Sequence, residues 1–259
     1  MEVVIVATPA HTGRVVADAV QQAVAAGARV LGLATGSSPL AAYRELTRRH
    51  HEEGLSFGGL SAFLLDEYVG LPAGHPQSYA RVIRAEFVDS VDLDPARVHG
   101  PDGTAGDLLA EARRYDAAIR AAGPVDLQIL GIGGNGHVGF NEPGSSLTSR
   151  TRVKTLTEAT RRDNARFFAD VADVPRHVLT QGLGTISDAR HLVLTASGAH
   201  KATALAAAIE GPVSASCPAS VLQLHPHVTV VADEAAATRL RSAGHYRYAF
   251  AHKLSQQGY

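Results

Sequence analysis

The sequence predicts an α/β fold with a mostly parallel sheet covered on both faces. Three observations predict it. Short apolar runs alternate with amphipathic stretches along the whole chain, the pattern of successive βαβ units. Two of those runs, RVLGLA at 29–34 and VTVVA at 228–232, are apolar almost without interruption, as strands buried on both faces are. The densest groups of Gly, Ser, Asp, Glu and His fall just after strand-like runs, where open α/β sheets hold their ligands.

The elements follow in order. Glu2–Ala7 reads as the first strand. Thr12 is placed to cap the helix after it, and Gly27 to end that helix. Arg29–Ala34 is the second strand. Ser38 and Pro39 open the next helix as N-cap and first residue, and Gly54 closes it. Ser61–Asp66 is a third strand ending in an acid. Helices are predicted over 78–90 and 104–122. Tyr79, Val82, Ile83 and Phe87 recur at helical spacing in one, and Leu108, Leu109, Ala112, Tyr115 and Ile119 in the other. Val125–Gly131, His191–Ala196 and Val228–Ala232 are further strands, with a helix from Ala199 to Ile209 before the last. No repeat or low-complexity tract interrupts the pattern, and the Gly/Pro loop at 70–76 is too short to divide it. Residues 1–259 therefore read as a single domain.

Composition narrows the function classes. A formal net charge of -1 leaves no basic excess for a nucleic-acid backbone, so an anionic ligand must be held by a few local cations. No apolar run approaches the ~18 residues of a membrane span. Glu2 and the short run after it argue against a signal peptide. The single cysteine, Cys217, permits no intrachain disulfide and suits a reducing compartment. The expectation is a cytoplasmic protein without a nucleic-acid or membrane partner.

Three loops carry the polar residues. Thr35-Gly36-Ser37-Ser38-Pro39 follows a strand and opens a helix, so its N–H groups suit an anion, although it lacks the Lys and spacing of a Walker A loop. A capped helix start explains the same residues. Asp66-Glu67-Tyr68 puts a carboxylate at a strand end, where it can serve as a general base or merely cap a helix. Residues 131–144 contain a formal G-x-G-x-x-G match at Gly131, Gly133 and Gly136. A dinucleotide fingerprint must run into a long helix, and Gly139, Pro143 and Gly144 forbid one. The glycines instead read as a tight turn presenting His137 and Glu142, or as a structural loop with an incidental histidine. Beside a carboxylate or the Asn135 amide, His137 can be held in one tautomer and move protons near neutral pH. Arg166 and Lys201 are candidate cations. His225 and His227 have the look of a ligand pair, but no third ligand stands at a recognisable spacing, so no metal is predicted.

LDEYVGLP, GIGGNGHVGFNEPGSSLTSRTRVKTL and TRRDNARFF, with the spacing between them, resemble glucosamine-6-phosphate deaminases. The likeness runs from the first strand to about residue 235. It implies a Rossmann-like three-layer α/β/α sandwich and a cofactor-free conversion of glucosamine 6-phosphate to fructose 6-phosphate and ammonia. On that resemblance Asp66 matches the base that moves the C2 proton to C1. His137 matches the ring-opening acid/base, and Glu142 the carboxylate that orients it. Gly36, Ser37, Ser38, Arg166 and Lys201 would hold the phosphate, and the segment from Thr157 to Pro175 would close over it. Asn135 departs from members that carry an acid there. Arg152 and Lys154 match basic positions of an allosteric site that also occur in unregulated members. Relatives range from monomers to hexamers. A 6-phosphogluconolactonase-like hydrolase does not explain DEYVGL or FNEP, and a sugar-phosphate sensor would bring a helix-turn-helix.

Overall fold

Seven parallel strands form the centre of the computed structural model, which describes residues 1–72, 74–254 and 257–259. The chain runs β1 (Glu2–Val6), α1 (Pro9–Ala25), β2 (Val30–Leu33), α2 (Leu40–Glu53), β3 (Ser61–Leu64), β4 (Asp66–Tyr68), α3 (Tyr79–Glu86), β5 (Val98–His99) and α4 (Leu108–Ala122). It continues through β6 (Leu127–Gly131), β7 (Arg152–Thr155), α5 (Glu158–Asn164), β8 (His177–Thr180), α6 (Leu183–Ser187), β9 (Leu192–Ala196), α7 (Ala202–Glu210), β10 (Val228–Asp233) and α8 (Ala243–Ala251). Every residue of β2, β9 and β10 is buried, so helices cover both faces of the sheet.

Strand order is β1-β10-β9-β6-β2-β3-β5. From β2 the chain steps outward through β3 to β5; from β6 it steps the other way through β9 to β10. The order reverses between β2 and β6, and the crevice beyond their carboxyl ends is the topological switch point.

Local chemistry moves three predicted boundaries. Thr8, not Thr12, caps α1: its side chain accepts the His11 N–H at 3.3 Å, and Pro9 takes the first helical position. The Thr12 hydroxyl lies inside the helix and donates to the Pro9 carbonyl at 2.7 Å. Ser38 does not cap α2, which begins at Leu40 after a turn that includes Pro39. The third strand stops at Leu64 rather than reaching Asp66. Gln181 takes up both carbonyls at the break, its Nε2 donating to Leu64 O at 2.9 Å and its backbone N–H to Leu65 O at 2.7 Å. Asp66 then starts β4 in a second, antiparallel sheet of order β4-β8-β7, absent from the sequence reading. Gly27 and Gly54 end their helices as expected.

Candidate active site

The loops leaving β2 and β6 lie against each other at the switch point. A Cβ on Gly131 would stand 3.3 Å from Ser38 Cβ. The N–H groups of Gly36, Ser37 and Ser38 have no acceptor among the described residues, and Gly36 and Ser37 are exposed. They form the unpaired donor set that an anion at a helix start uses.

Asp66 is 6% exposed at the start of β4, facing the glycine-rich turn: a Cβ on Gly139 would lie 3.4 Å from its Oδ2. A Cβ there would touch this carboxylate and press more closely on Thr180 Oγ1, at 3.1 Å. No hydrogen bond within the described residues reaches the Asp66 side chain. Burial, with the neighbouring Glu67 charge adding to it, pushes its pKa well above the ordinary carboxylate range. Glu67 differs. Its Oε1 accepts from the Tyr68 and Tyr79 N–H groups at 2.9 Å, and its Oε2 from Ala80 N–H at 3.0 Å. Glu67 closes the start of α3 and has little acceptor capacity left. The two roles open to a strand-end carboxylate are divided between adjacent residues.

The second carboxylate group is built on the turn after β6. The His137 imidazole lies flat over Gly133, whose added Cβ would fall 2.1 Å from His137 Cε1, so only glycine fits beneath the ring. His137 Nδ1 is 2.7 Å from Asn135 Oδ1, and Asn135 Nδ2 donates to Glu142 Oε2 at 2.6 Å. The carboxylate can only accept, which orients the amide: its nitrogen faces Glu142 and its oxygen faces the imidazole. His137 therefore donates from Nδ1, and Nε2 carries the free lone pair. Glu142 Oε2 is 3.6 Å from Nδ1, so Asn135 mediates between them. Glu142 is 4% exposed, yet its other oxygen accepts from Thr160 Oγ1 and, at 3.3 Å, from Thr157 Oγ1. Burial would raise its pKa; the imidazole and the Thr160 and Asn135 donors outweigh burial and hold it at about 2.

Lys201 ends a 3₁₀ turn just beyond β9, the neighbour of β6, and is half-buried. Burial lowers its pKa, the Asp163 carboxylate opposes that, and the Arg166 guanidinium adds to it. The Lys201 ammonium thus lies within reach of both the Asp163 and the Arg166 charges. Arg166 belongs to a 3₁₀ turn rather than to α5, is exposed, and stacks on Phe167 at 4.7 Å. Arg152 and Lys154 lie on β7, and the Arg152 Nη2 is buried without a partner. His225 and His227 turn their rings to backbone carbonyls: His225 Nε2 to Ala189 at 2.8 Å, and His227 Nε2 to Tyr259 at 2.6 Å.

Sequence reasoning missed Thr157 and Thr160, which hold Glu142 from the helix after β7. The available signal was a helix start, since Thr157 caps α5 by accepting the Thr160 N–H at 3.2 Å. That signal gave no hint of a carboxylate partner.

A doubly wound sheet with two unlike carboxylates, a fixed imidazole and free loop amides at its switch point defines an α/β protein equipped for proton transfer on an anionic ligand. The chain belongs to the family described as glucosamine-6-phosphate isomerases/6-phosphogluconolactonase, whose model matches residues 7–231. It is 66% identical to a glucosamine-6-phosphate deaminase of Rhodococcus opacus (strain B4) over 259 residues, all of both chains. It is 56% identical to one of Mycolicibacterium smegmatis over 260 aligned positions, again all of both. A solved monomeric glucosamine-6-phosphate deaminase superposes with a TM-score of 0.87 at 43% identity, covering 92% of this chain and 100% of the other. A 6-phosphogluconolactonase from Trypanosoma cruzi, at 20% identity and a TM-score of 0.72, shares the fold.

Proposed function

We propose that this chain converts glucosamine 6-phosphate, with water, to fructose 6-phosphate and ammonia. One observation supports the reading: the Asp66 carboxylate, which accepts no hydrogen bond among the described residues, lies against Gly139 of the His137-bearing turn, and the loop with the free amides of 36–38 packs on Gly131 where that turn begins.

The chemistry follows from the unlike protonation of the groups. His137 Nε2, its lone pair exposed by the Asn135 contact, takes the proton of the anomeric hydroxyl and returns it to the ring oxygen, opening the pyranose. Asp66, starved of donors, is a stronger base than an ordinary carboxylate. It removes the C2 proton while the C1 carbonyl oxygen takes up a proton given by the amino group, and it then delivers its proton to C1, leaving an imine at C2. Water adds to that imine, and ammonia leaves as the C2 carbonyl forms. The Gly36–Ser38 amides, Lys201 and Arg166 hold the phosphate, and that remote binding positions C1 and C2 against Asp66. No helix among the described residues is long and apolar enough to cross a membrane, which accords with work in the cytoplasm on a small soluble sugar phosphate. One domain supplies all these residues.

The test is ammonia release from glucosamine 6-phosphate by the purified chain, without added metal or nucleotide. Steady turnover supports the reading; no ammonia from folded protein at millimolar substrate overturns it.

A further inference from the structure

The acid–base relay does not end at Glu142. Its Oε1 is held from outside the glycine-rich turn, by the Thr160 hydroxyl with a longer contact from Thr157. Both threonines stand at the start of α5, on the segment that carries Arg166. Thr160 is 5% exposed and Glu142 4%, so water does not readily replace this donor. The far end of α5 is tied as well: Asn164 Nδ2 donates to Tyr68 Oη at 2.9 Å, and Tyr68 closes the strand that Asp66 opens. α5 therefore bridges the two halves of the site, and Arg166 follows Asn164 by two residues.

We infer that Thr160 is a positioning residue for this reaction: its hydroxyl fixes Glu142 so that Asn135 presents its oxygen to His137, and it ties that relay to the segment carrying Arg166. The inference rests on the proposed function, but its physical content does not. A carboxylate with both oxygens occupied has one orientation. Without Thr160, Oε1 keeps only the 3.3 Å contact to Thr157 and the carboxylate can rotate. Asn135 then has a less fixed acceptor for its Nδ2 and is held mainly by the His137 backbone N–H at 3.2 Å from its Oδ1, so the oxygen that sets the His137 tautomer is less firmly placed.

The experiment compares Thr160→Val, which keeps the shape and removes the hydroxyl, with Thr160→Ser, which restores it. Two readouts are taken: kcat and KM for glucosamine 6-phosphate, and the ¹⁵N spectrum of the His137 imidazole in the ligand-free protein. For Thr160→Val, kcat falls about 10- to 100-fold, the range expected when one buried charge-assisted donor is lost, while KM moves by less than about threefold. The ¹⁵N spectrum changes from a protonated Nδ1 to a mixture of tautomers. Thr160→Ser returns both toward wild type. Wild-type kcat together with an unchanged tautomer in Thr160→Val overturns the inference, as does an equal loss in the Ser and Val variants. Should Thr160→Val not fold, Thr160→Ala carries the same comparison. An inactive wild type with the ¹⁵N change intact would instead overturn the proposed reaction and leave the positioning role standing.

Discussion

The tip of β4 and the turn after β6 each bury a carboxylate, and they treat it in opposite ways. Asp66, 6% exposed, has no hydrogen-bond donor among the described residues, and burial drives its pKa up. Glu142, 4% exposed, takes donors on both oxygens and sits at about 2. Surface exposure is nearly the same in the two, but Asp66 lies deeper and lacks donors, whereas Glu142 has the imidazole and the Thr160 and Asn135 donors beside it; depth and partners together set the direction of each shift. A buried acid without donors is a base in waiting. Glu142, with the imidazole and its hydroxyl and amide donors around it, is a fixed charge, fit to orient a neighbour. Both border the same glycine-rich turn, and on the proposed reaction the difference separates the group that takes a proton from the group that steers another.

The largest effect is expected at Asp66. Asp66→Asn should lower kcat by about 10²–10⁴-fold, the usual worth of a positioned acid–base group. The same change should raise the thermal midpoint at neutral pH. An acid whose folded pKa lies above its unfolded value destabilises the fold as pH rises between the two, and an amide has no charge to desolvate. Calorimetry and an ammonia assay on one preparation check both signs. A variant that is both inactive and less stable would break the comparison, because Asp66 would then be structural.

Glu142→Gln tests the other side. A glutamine offers one acceptor in place of two. If its amide nitrogen faces Asn135, the Asn135 side chain must turn over and present its own nitrogen to His137, which moves the imidazole proton to Nε2. A fall in kcat of about 10²-fold and an inverted ¹⁵N tautomer are expected. The pH dependence of stability adds an independent check. Glu142 has its folded pKa depressed from 4.5 to about 2, so its contribution is complete above 4.5 and is lost as pH falls toward 2. Chemical denaturation from pH 6 to pH 2 should show a shallower loss for Glu142→Gln than for the wild type. Identical slopes would mean the carboxylate is not held as described.

Next in size are the cations. Lys201→Ala and Arg166→Ala should each raise KM for the phosphorylated sugar about tenfold, a loss of about 1.4 kcal/mol, with smaller changes in kcat. Lys201 should give the larger effect, since it is half-buried where Arg166 is exposed. An unchanged KM in both would place the phosphate elsewhere.

How much of this was legible in the sequence divides along the same line. The main sheet was legible because β2, β6, β9 and β10 are buried, and burial writes apolar runs into the chain. The small sheet was not. β7 is the polar tetrapeptide RVKT and β8 is HVLT, too short and mixed to show a period of two. The break at Leu65 depends on Gln181, more than a hundred residues away, and no local pattern reports such a partner. Asp66 stood out only as an acid at a strand end, and His137, Asn135 and Glu142 because glycines cluster around them; the roles expected of them came from the resemblance. Thr160 did not, because one hydroxyl on a helix start resembles any cap.

The smallest effect belongs to Glu67, and it tests the division most directly. Glu67 adjoins Asp66 in sequence, is also buried, and also has its pKa raised by burial, though three backbone N–H groups oppose that. A tally of acids would rank the two alike. Their hydrogen bonds do not: Glu67 is committed to the Tyr68, Tyr79 and Ala80 amides at the start of α3. Glu67→Gln keeps one acceptor oxygen and loses the other, so it should cost about 1 kcal/mol of stability, the usual worth of a helix-start contact. It should leave kcat within about threefold of wild type. A collapse of turnover in Glu67→Gln with activity retained in Asp66→Asn would exchange the two roles, and commitment to backbone amides would no longer separate scaffold from base here.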